Sequence, residues 1–369
     1  MTKLCIINGK SPRYRESIFK AIDKEYDCDW FFGKADTDIK SLDLSIFKNA
    51  QSFGYIYFGK SLYWKKRTIS KLFEKKYNCF LVSVESRAIS DYIFLFLKDL
   101  FFPQKKVYAW THGWYGKETW LEAFLKKWLF KRVSCILTYG EYARNLLIKE
   151  GISPEKVFAI HNSLHYDSQI EIRKIVTQTD VFTNHFHNNN PVIIFIGRLT
   201  KVKQLDMLIN AIFNLKEKEE HYNLVFIGDG EERSRLENLV NSKGLCEQVW
   251  FYGACYDERL NAELIFNADV CVAPGNVGLT AMHTMVFGTP VISHNDFKWQ
   301  MPEFEAIHPG VTGDFFERGN QDSLESTIRK WIHSKANNRE QVRRACYKEI
   351  DSFWNPYYQM DIIRKALKF

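Results

Sequence analysis

From residue 191 onward, short apolar runs rich in β-branched residues recur at intervals filled by helix-patterned segments. The segments 192–196, 224–227, 249–252, 270–273 and 291–293 are apolar at nearly every position, as expected of strands buried on both faces. Between them, Val202, Leu205, Leu208, Ile209, Ile212 and Leu215 follow helical spacing. So do Leu236, Leu239 and Val240, with Gly244 placed to end that helix in a left-handed turn. Strand, helix, strand in this order specifies βαβ units around a parallel sheet, and so an α/β fold. The first half repeats the pattern less cleanly. Its candidate strands are 4–7, 29–32, 54–58, 79–82, 106–110, 134–138 and 157–160, which predicts a second α/β domain.

A chain of 369 residues suits two or three domains better than one core. The stretch 165–190 loses the apolar runs and ends in the polar sequence His185-Phe186-His187-Asn188-Asn189-Asn190-Pro191, which suits a connection. The expected division is a first Rossmann-like domain over 1–165, a connection over 166–190, a second Rossmann-like domain over 191–350, and a C-terminal helix over 351–369. For that helix a return to the first domain is one course open. Two doubly wound domains of this kind would face a central cleft, with ligand at the carboxyl ends of the strands. Apolar residues at 46% and charged residues at 26% exclude intrinsic disorder. The best candidate for a membrane span, 92–102, is interrupted by Lys98 and Asp99 and falls short of the roughly 18 residues needed. The apolar start is too short for a signal peptide, so a cytoplasmic location is expected. The eight cysteines include no C-x-x-C pair. Buried free thiols are expected, with neither a zinc cluster nor a disulfide framework.

Charge is unevenly placed. Residues 1–190 hold 30 basic and 20 acidic residues, and residues 191–369 hold 21 and 24. The excess gathers in 60–132, with 16 basic against 6 acidic residues beside Tyr63, Trp64, Trp110, Trp114, Trp120 and Trp128. Such a region suits nucleic acid, an anionic membrane or a phosphate-bearing substrate. No nucleic-acid reading element is recognisable, so nucleic acid is not expected as a partner. Trp120, Leu121, Phe124, Leu125, Trp128 and Leu129 are spaced for one helical face, with Lys126, Lys127, Lys131 and Arg132 around its end. Two readings stand. One is a core-facing helix whose cations complement its dipole; the other is peripheral docking on an anionic membrane that holds a lipid-linked acceptor.

The chemistry is concentrated in two segments. In Gly197-Arg198-Leu199-Thr200-Lys201-Val202-Lys203, a glycine after a strand lets backbone approach a ligand, and two cations could grip a diphosphate. In Ala273-Pro274-Gly275-Asn276-Val277-Gly278-Leu279-Thr280-Ala281-Met282-His283, a strand ends in a turn and a helix opens near Gly278, offering backbone N–H groups to an anion. Gly-Arg-Leu with a lysine five residues beyond the arginine, followed by Pro-x3-Gly-Leu-x5-Met-x2-Gly-x-Pro-Val, resembles the retaining nucleotide-sugar glycosyltransferases of the GT-B fold, of the glycosyl transferases group 1 type. The resemblance runs from Val192 to about Phe316 and takes in Gly228-Asp229-Gly230 and Gly253. It implies that Arg198 and Lys203 hold the donor diphosphate, with Gly197, Gly278 and the backbone of Leu279 and Thr280 adding contacts. The family usually carries two glutamates eight positions apart, one beside the sugar and one on the ribose; here those positions are Gly275 and His283. An imidazole can still hydrogen-bond a ribose hydroxyl, or His283 is a helix residue oriented by a backbone partner. Gly275 offers no side chain, which leaves Asn276 or backbone to serve the sugar.

In the first half the resemblance is thinner. Gly9, in Asn8-Gly9-Lys10-Ser11, falls where related enzymes have a loop facing donor and acceptor. His112, at a strand end in Thr111-His112-Gly113, falls near the reacting sugar in the resembling enzymes and is the leading catalytic candidate, the other reading being a histidine that caps a turn. The loop 113–117 looks mobile enough to close over an acceptor. Asp27-Cys28-Asp29 and Asp36-Thr37-Asp38 are metal-site strings of another transferase fold, but their positions favour solvated turns. No metal is expected, since cations can neutralise a diphosphate. Glu303 and Glu305 suit a helix start, while Gly140 to Arg144 and Asn162-Ser163 match family positions that orient the cleft. The resulting expectation is a metal-independent glycosyltransferase that needs no cofactor beyond its nucleotide-sugar donor. Its acceptor would be a glycan or lipid-linked hydroxyl, in cell-surface glycan synthesis. A non-catalytic sugar-nucleotide- or glycan-binding protein, motivated by the missing glutamates, and a GT-B sugar-nucleotide epimerase are the alternatives.

Overall fold

A computed structural model describes residues 3–34, 42–335 and 338–367. The string Asp36-Thr37-Asp38 lies outside them. The chain divides into two compact units, one of Met1–His165 with Asn355–Phe369 and one of Tyr166–Trp354.

The first unit contains β1 (Lys3–Asn8), β2 (Cys28–Gly33), β3 (Ala50–Phe53), β4 (Tyr55–Phe58), β5 (Leu62–Lys65), β6 (Tyr77–Val82), β7 (Lys106–Trp110), β8 (Cys135–Thr138) and β9 (Val157–Ala159). Seven of these form a sheet in the order β3-β2-β1-β6-β7-β8-β9. Its pairings are parallel, with Cys5 opposite Asp29 on one side and Phe80 on the other. The two-residue period of β1 sorts its side chains. Leu4 and Ile6 join a core with Phe19, Trp30, Phe32, Met360 and Ile363, whereas Cys5 and Ile7 join Phe80, Val82, Leu95 and Leu129 on the opposite face. Both faces are covered by helices, which is why the strands read as continuous apolar runs.

The expected strand 54–58 is present but lies outside the main sheet. The sheet edge is taken by β3, which lies earlier and pairs with β2, and β4 instead folds onto β5 as a separate antiparallel hairpin. Gln51 and Ser52 hid β3 from a reading based on apolar runs, whereas Tyr55 to Phe58 advertised a strand that is largely exposed.

The second unit contains β10 (Val192–Ile196), β11 (Asn223–Ile227), β12 (Val249–Gly253), β13 (Val270–Ala273), β14 (Val291–His294) and β15 (Gly313–Phe316), in the parallel order β12-β11-β10-β13-β14-β15. The strand β15 begins Gly-Asp and so carried no apolar signal. The stretch 166–190, read as a connection, carries the helices Tyr166–Arg173 and Val181–Phe186 and groups with the second unit. Phe182 and Phe186 are buried there, and Thr179 is tied to Asn267 and Glu263. The helix Pro356–Ala366 belongs to the first unit, where Gln359 accepts from the Ser163 hydroxyl at 2.5 Å and Arg364 pairs with Glu25 at 2.6 Å.

Six cysteines are buried free thiols; Cys246 is exposed and Cys255 partly so. Asp29 is buried in β2, where it bonds the Tyr77 hydroxyl, Lys76 and Lys3, rather than lying in a solvated turn. No helix among the described residues is long and apolar enough to cross a membrane.

Candidate functional site

In the second unit the site lies at the carboxyl ends of β10, β11 and β13. After β10, Gly197 takes a left-handed φ of +147°, and the chain runs through Arg198 into a short turn at Lys201–Lys203 before the helix Leu205–Lys216 begins. The next loop presses on it from behind. A Cβ at Gly228 would lie 1.9 Å from the Gly197 carbonyl oxygen, so only glycine permits this approach.

The two cations differ in their surroundings. Arg198 is exposed, and its guanidinium has no hydrogen bond or ion pair with any described residue. The Lys203 ammonium is half-buried and donates to the Asn276 carbonyl at 2.7 Å and to its side-chain oxygen at 2.9 Å. Burial pulls Lys203 down to about 8, with the carboxylate of Glu303 opposing and the like charge of Arg198 assisting. Asn276 thus holds Lys203 in place as well as standing beside it. The loops close on each other through Gly275, whose N–H donates to the Lys203 carbonyl at 2.9 Å. A Cβ at Gly275 would lie 2.0 Å from the Val202 carbonyl oxygen, which explains why no carboxylate stands at this position.

The turn 274–277 rests on polar residues that sequence reasoning missed. The Gln300 side chain accepts from the Val277 N–H at 2.9 Å and donates to Ser293 at 2.8 Å, and the Ser293 hydroxyl donates to the Ala273 carbonyl. The helix expected to open near Gly278 starts at Thr280 and runs only to Met285, with Gly278 left-handed at φ +56°. Thr280 donates its hydroxyl to the Ile196 carbonyl at 2.8 Å, pinning this helix to the end of β10, and the Leu279 carbonyl accepts from the His283 N–H. His283 Nε2 lies 3.0 Å from Glu258, which also accepts from Gln169 at 2.7 Å. A carboxylate on Nε2 fixes the proton there and leaves Nδ1 as an acceptor. Glu258 sits in an ordinary helix start after Asp257, so nothing in its local sequence marked it. Glu303 is buried in a short 3-10 turn, Pro302–Ala306.

In the first unit, a cavity of about 580 Å³ opens at the carboxyl ends of β1, β6 and β7 and is lined by Gly9, Arg15, Glu85, Trp110, His112 and Tyr139 among others. Gly9 donates its N–H to Ser83 at 2.8 Å and accepts the Tyr55 hydroxyl on its carbonyl. His112 lies between Tyr139 and Tyr115, with ring centroids at 4.7 and 6.2 Å. Burial, then the charges of Arg15, Lys126 and Lys10, pull it down to about 4, so it is neutral at pH 7. The loop 113–117, expected to be mobile, is held by Glu118. That carboxylate accepts from the N–H groups of Tyr115, Gly116 and Lys117, and from Lys126 at 2.7 Å.

The basic region also differs from expectation. Lys65 is fully buried in an ion pair with Asp91 at 2.8 Å, and Lys126 is committed to Glu118 and the Gly113 carbonyl. Along the helix Trp120–Arg132, Leu129 and Phe130 are buried while Trp120 is 81% and Phe124 61% exposed. The six apolar residues therefore do not form one buried face. Among the described residues, no group of three or more His, Cys, Asp or Glu is placed to hold a metal ion.

Two parallel-sheet units with helices on both faces define the GT-B fold, and solved structures agree. The chain superposes on the lipopolysaccharide outer core galactosyltransferase WaaB with a TM-score of 0.71 at 13% identity, covering 98% of each chain. On Anabaena Alr3699/HepE in complex with UDP the TM-score is 0.72 at 16% identity, covering 100% of this chain and 99% of that one. Residues 176–349 match the family described as Glycosyl transferases group 1. An uncharacterised 41.2 kDa protein in the cps region of Klebsiella pneumoniae is 27% identical over 68% of this chain and 64% of its own length. The putative glycosyltransferase EpsD of Bacillus subtilis is 26% identical over 62% and 61%. The chain thus spans somewhat under two thirds of these curated relatives.

Proposed function

We propose that this protein transfers a sugar from a nucleotide diphosphate donor to an acceptor hydroxyl in the assembly of a cell-surface glycan. The reading is carried by one observation: an exposed Arg198, without a partner among the described residues, and a half-buried Lys203 share the loop at the end of β10, inside the region that matches the glycosyltransferase family. Two cations so placed would neutralise the leaving diphosphate without a metal. Gly197, Gly275, Gly278 and the backbone of Leu279 and Thr280 would complete the phosphate cradle, and His283 would take a ribose hydroxyl through Nδ1. Asn276, already bonded to Lys203, would face the sugar.

The acceptor belongs to the first unit, in the cavity beside Gly9, where neutral His112 can hydrogen-bond a sugar hydroxyl. Retention, which the family resemblance implies, would follow from front-face attack. The bond from the anomeric carbon to the diphosphate breaks, the acceptor oxygen bonds to the same face, and its proton passes to the departing phosphate oxygen. A cytoplasmic enzyme at the inner face of the membrane, meeting a lipid-linked acceptor, would use the exposed aromatic residues of Trp120–Arg132. The second reading, a non-catalytic sugar-nucleotide-binding protein, is favoured by Gly275, where a glutamate cannot fit.

Screening nucleoside diphosphates by thermal shift, then the matching sugars with product analysis, tests both. Donor hydrolysis or transfer supports the enzyme; tight binding without turnover supports the binding protein; epimer formation without an acceptor would favour an epimerase. No binding to any nucleotide would sink all three.

A further inference from the structure

We propose that the cavity of the first unit binds a phosphate or diphosphate group carried by the acceptor. This rests on the assignment of the cavity to the acceptor, and adds its chemical class.

The charges in the wall are only partly balanced by one another. Each of its acids is bonded within the protein. Glu85 accepts the Tyr63 hydroxyl, Glu118 accepts three backbone N–H groups and Lys126, and Glu122 accepts from Thr119. Two of its cations are not. The side chains of Lys10 and Arg87, both exposed at the wall, form no hydrogen bond or ion pair with any described residue. Against the three carboxylates Glu85, Glu118 and Glu122 the wall sets five cationic side chains, Lys10, Arg15, Arg87, Lys117 and Lys126. That asymmetry selects an anion.

A second observation lies deeper. Trp110 is 3% exposed, lines the cavity, and its indole N–H has no hydrogen-bond partner among the described residues. Buried donors are almost always paired in native proteins, and a ligand oxygen in the cavity would give this one a partner once the wall shifts to uncover it. Arg15 is held nearby, its guanidinium 4.9 Å from the Tyr139 ring and 5.7 Å from that of Trp110. It is therefore ordered before ligand arrives.

A phosphate on an acceptor has two sources, a soluble sugar phosphate or a lipid diphosphate. The hairpin β4–β5 is tied to the cavity wall through Tyr55 to Gly9 and Tyr63 to Glu85, and it exposes Phe58 and Leu62. An attached apolar chain would have a surface to follow there.

The test titrates inorganic pyrophosphate into protein labelled with 15N at its tryptophan indoles, with the Trp110 resonance assigned through Trp110→Phe. The Trp110 resonance is expected to move. Lys10→Ala and Arg87→Ala, at exposed positions that should not disturb folding, are each expected to weaken that response about tenfold, or about 1.4 kcal/mol. Arg198→Ala should leave it unchanged. An unmoved Trp110 resonance at saturating pyrophosphate, or an unchanged affinity in the Lys10→Ala/Arg87→Ala double variant, would overturn the proposal. Farnesyl diphosphate identifies the source. Binding at least tenfold tighter than pyrophosphate, lost in Phe58→Ser/Leu62→Ser, assigns the site to a lipid diphosphate, and equal affinity assigns it to a soluble phosphorylated acceptor. Loss of nucleotide binding by the second unit would leave the Trp110 response intact, so failure of the donor reading is separable from failure of this one.

Discussion

Arg198 and Lys203 carry the same formal charge on one loop, yet only Lys203 can change it near neutral pH, because burial has brought its ammonium down to about 8. If both grip a diphosphate, Arg198→Ala and Lys203→Ala should each weaken nucleotide diphosphate binding by about 1.5 to 3 kcal/mol in calorimetry. Their pH behaviour should differ. Wild-type affinity should fall as pH rises above about 8, with proton uptake on binding, since the anion must recharge a lysine that is losing its proton. Arg198→Ala should keep that dependence and Lys203→Ala should lose it; unchanged affinity in both would remove the clamp. His112 stands the other way. Held near 4, it is neutral throughout pH 5 to 8, so turnover should show no inflection from it in that range. His112→Ala should lower kcat while leaving nucleotide affinity intact, and a variant with wild-type turnover would leave His112 a turn-capping residue. The loop from Gly197 to Lys203 was legible because its residues are close in sequence. Gln300, Ser293 and Glu258 were not, since each acts on a partner more than five residues away, through polar contacts that leave no periodic trace.

Among the elements, the hairpin β4–β5 departs most from a doubly wound plan, and it depends on Lys65. Its ammonium reaches Asp91 at 2.8 Å and the Ser83 carbonyl at 2.5 Å, while Asp91 also accepts from the Glu85 N–H. Burial pushes the Asp91 carboxyl up, and Lys65 opposes it. Lys65→Met would strand that carboxylate and should cost about 3 to 5 kcal/mol in urea unfolding, with much of the loss recovered in Lys65→Met/Asp91→Leu. A loss below about 1 kcal/mol would mean the pair contributes little, as exposed pairs do. The same contacts explain why the sequence misled here. Lys65 sits in the run Lys65-Lys66-Arg67, and a charge run reads as solvated unless its buried partner, 26 residues on, is known. By contrast β7, β10 and β13 coincide with the expected segments, because strands covered on both faces must be apolar throughout.

At the scale of the whole molecule, each unit buries a histidine that plays no part in the proposed chemistry. His161 in the first and His294 in the second are both held near 4, chiefly by burial. Unfolding restores a pKa of about 6.5, so between about pH 6.5 and 4 the unfolded chain binds more protons, and stability must fall as pH falls through that window. Calorimetry should show the melting temperature dropping from pH 7 to 5, less steeply in His294→Gln; an identical slope would assign the loss to carboxylates. The exposed cations Lys60, Lys66, Arg67 and Lys131 bear on where the protein works. Sedimentation with anionic vesicles at low salt, release as salt rises, and indifference to neutral vesicles are expected. Changing these four to Glu should abolish sedimentation without altering donor affinity. Failure to bind anionic vesicles at low salt would end the peripheral-membrane assignment.

The helix Pro356–Ala366 packs Met360, Ile363 and Ala366 into the same core as Leu4, Ile6 and Trp30, so the second unit is an insertion in the first. A ribosome releases the 189 residues of Tyr166–Trp354 as one uninterrupted stretch, and they can complete their core while the tail is still unmade. The first unit begins earlier and must finish later, its core open along one face until residue 367 has emerged.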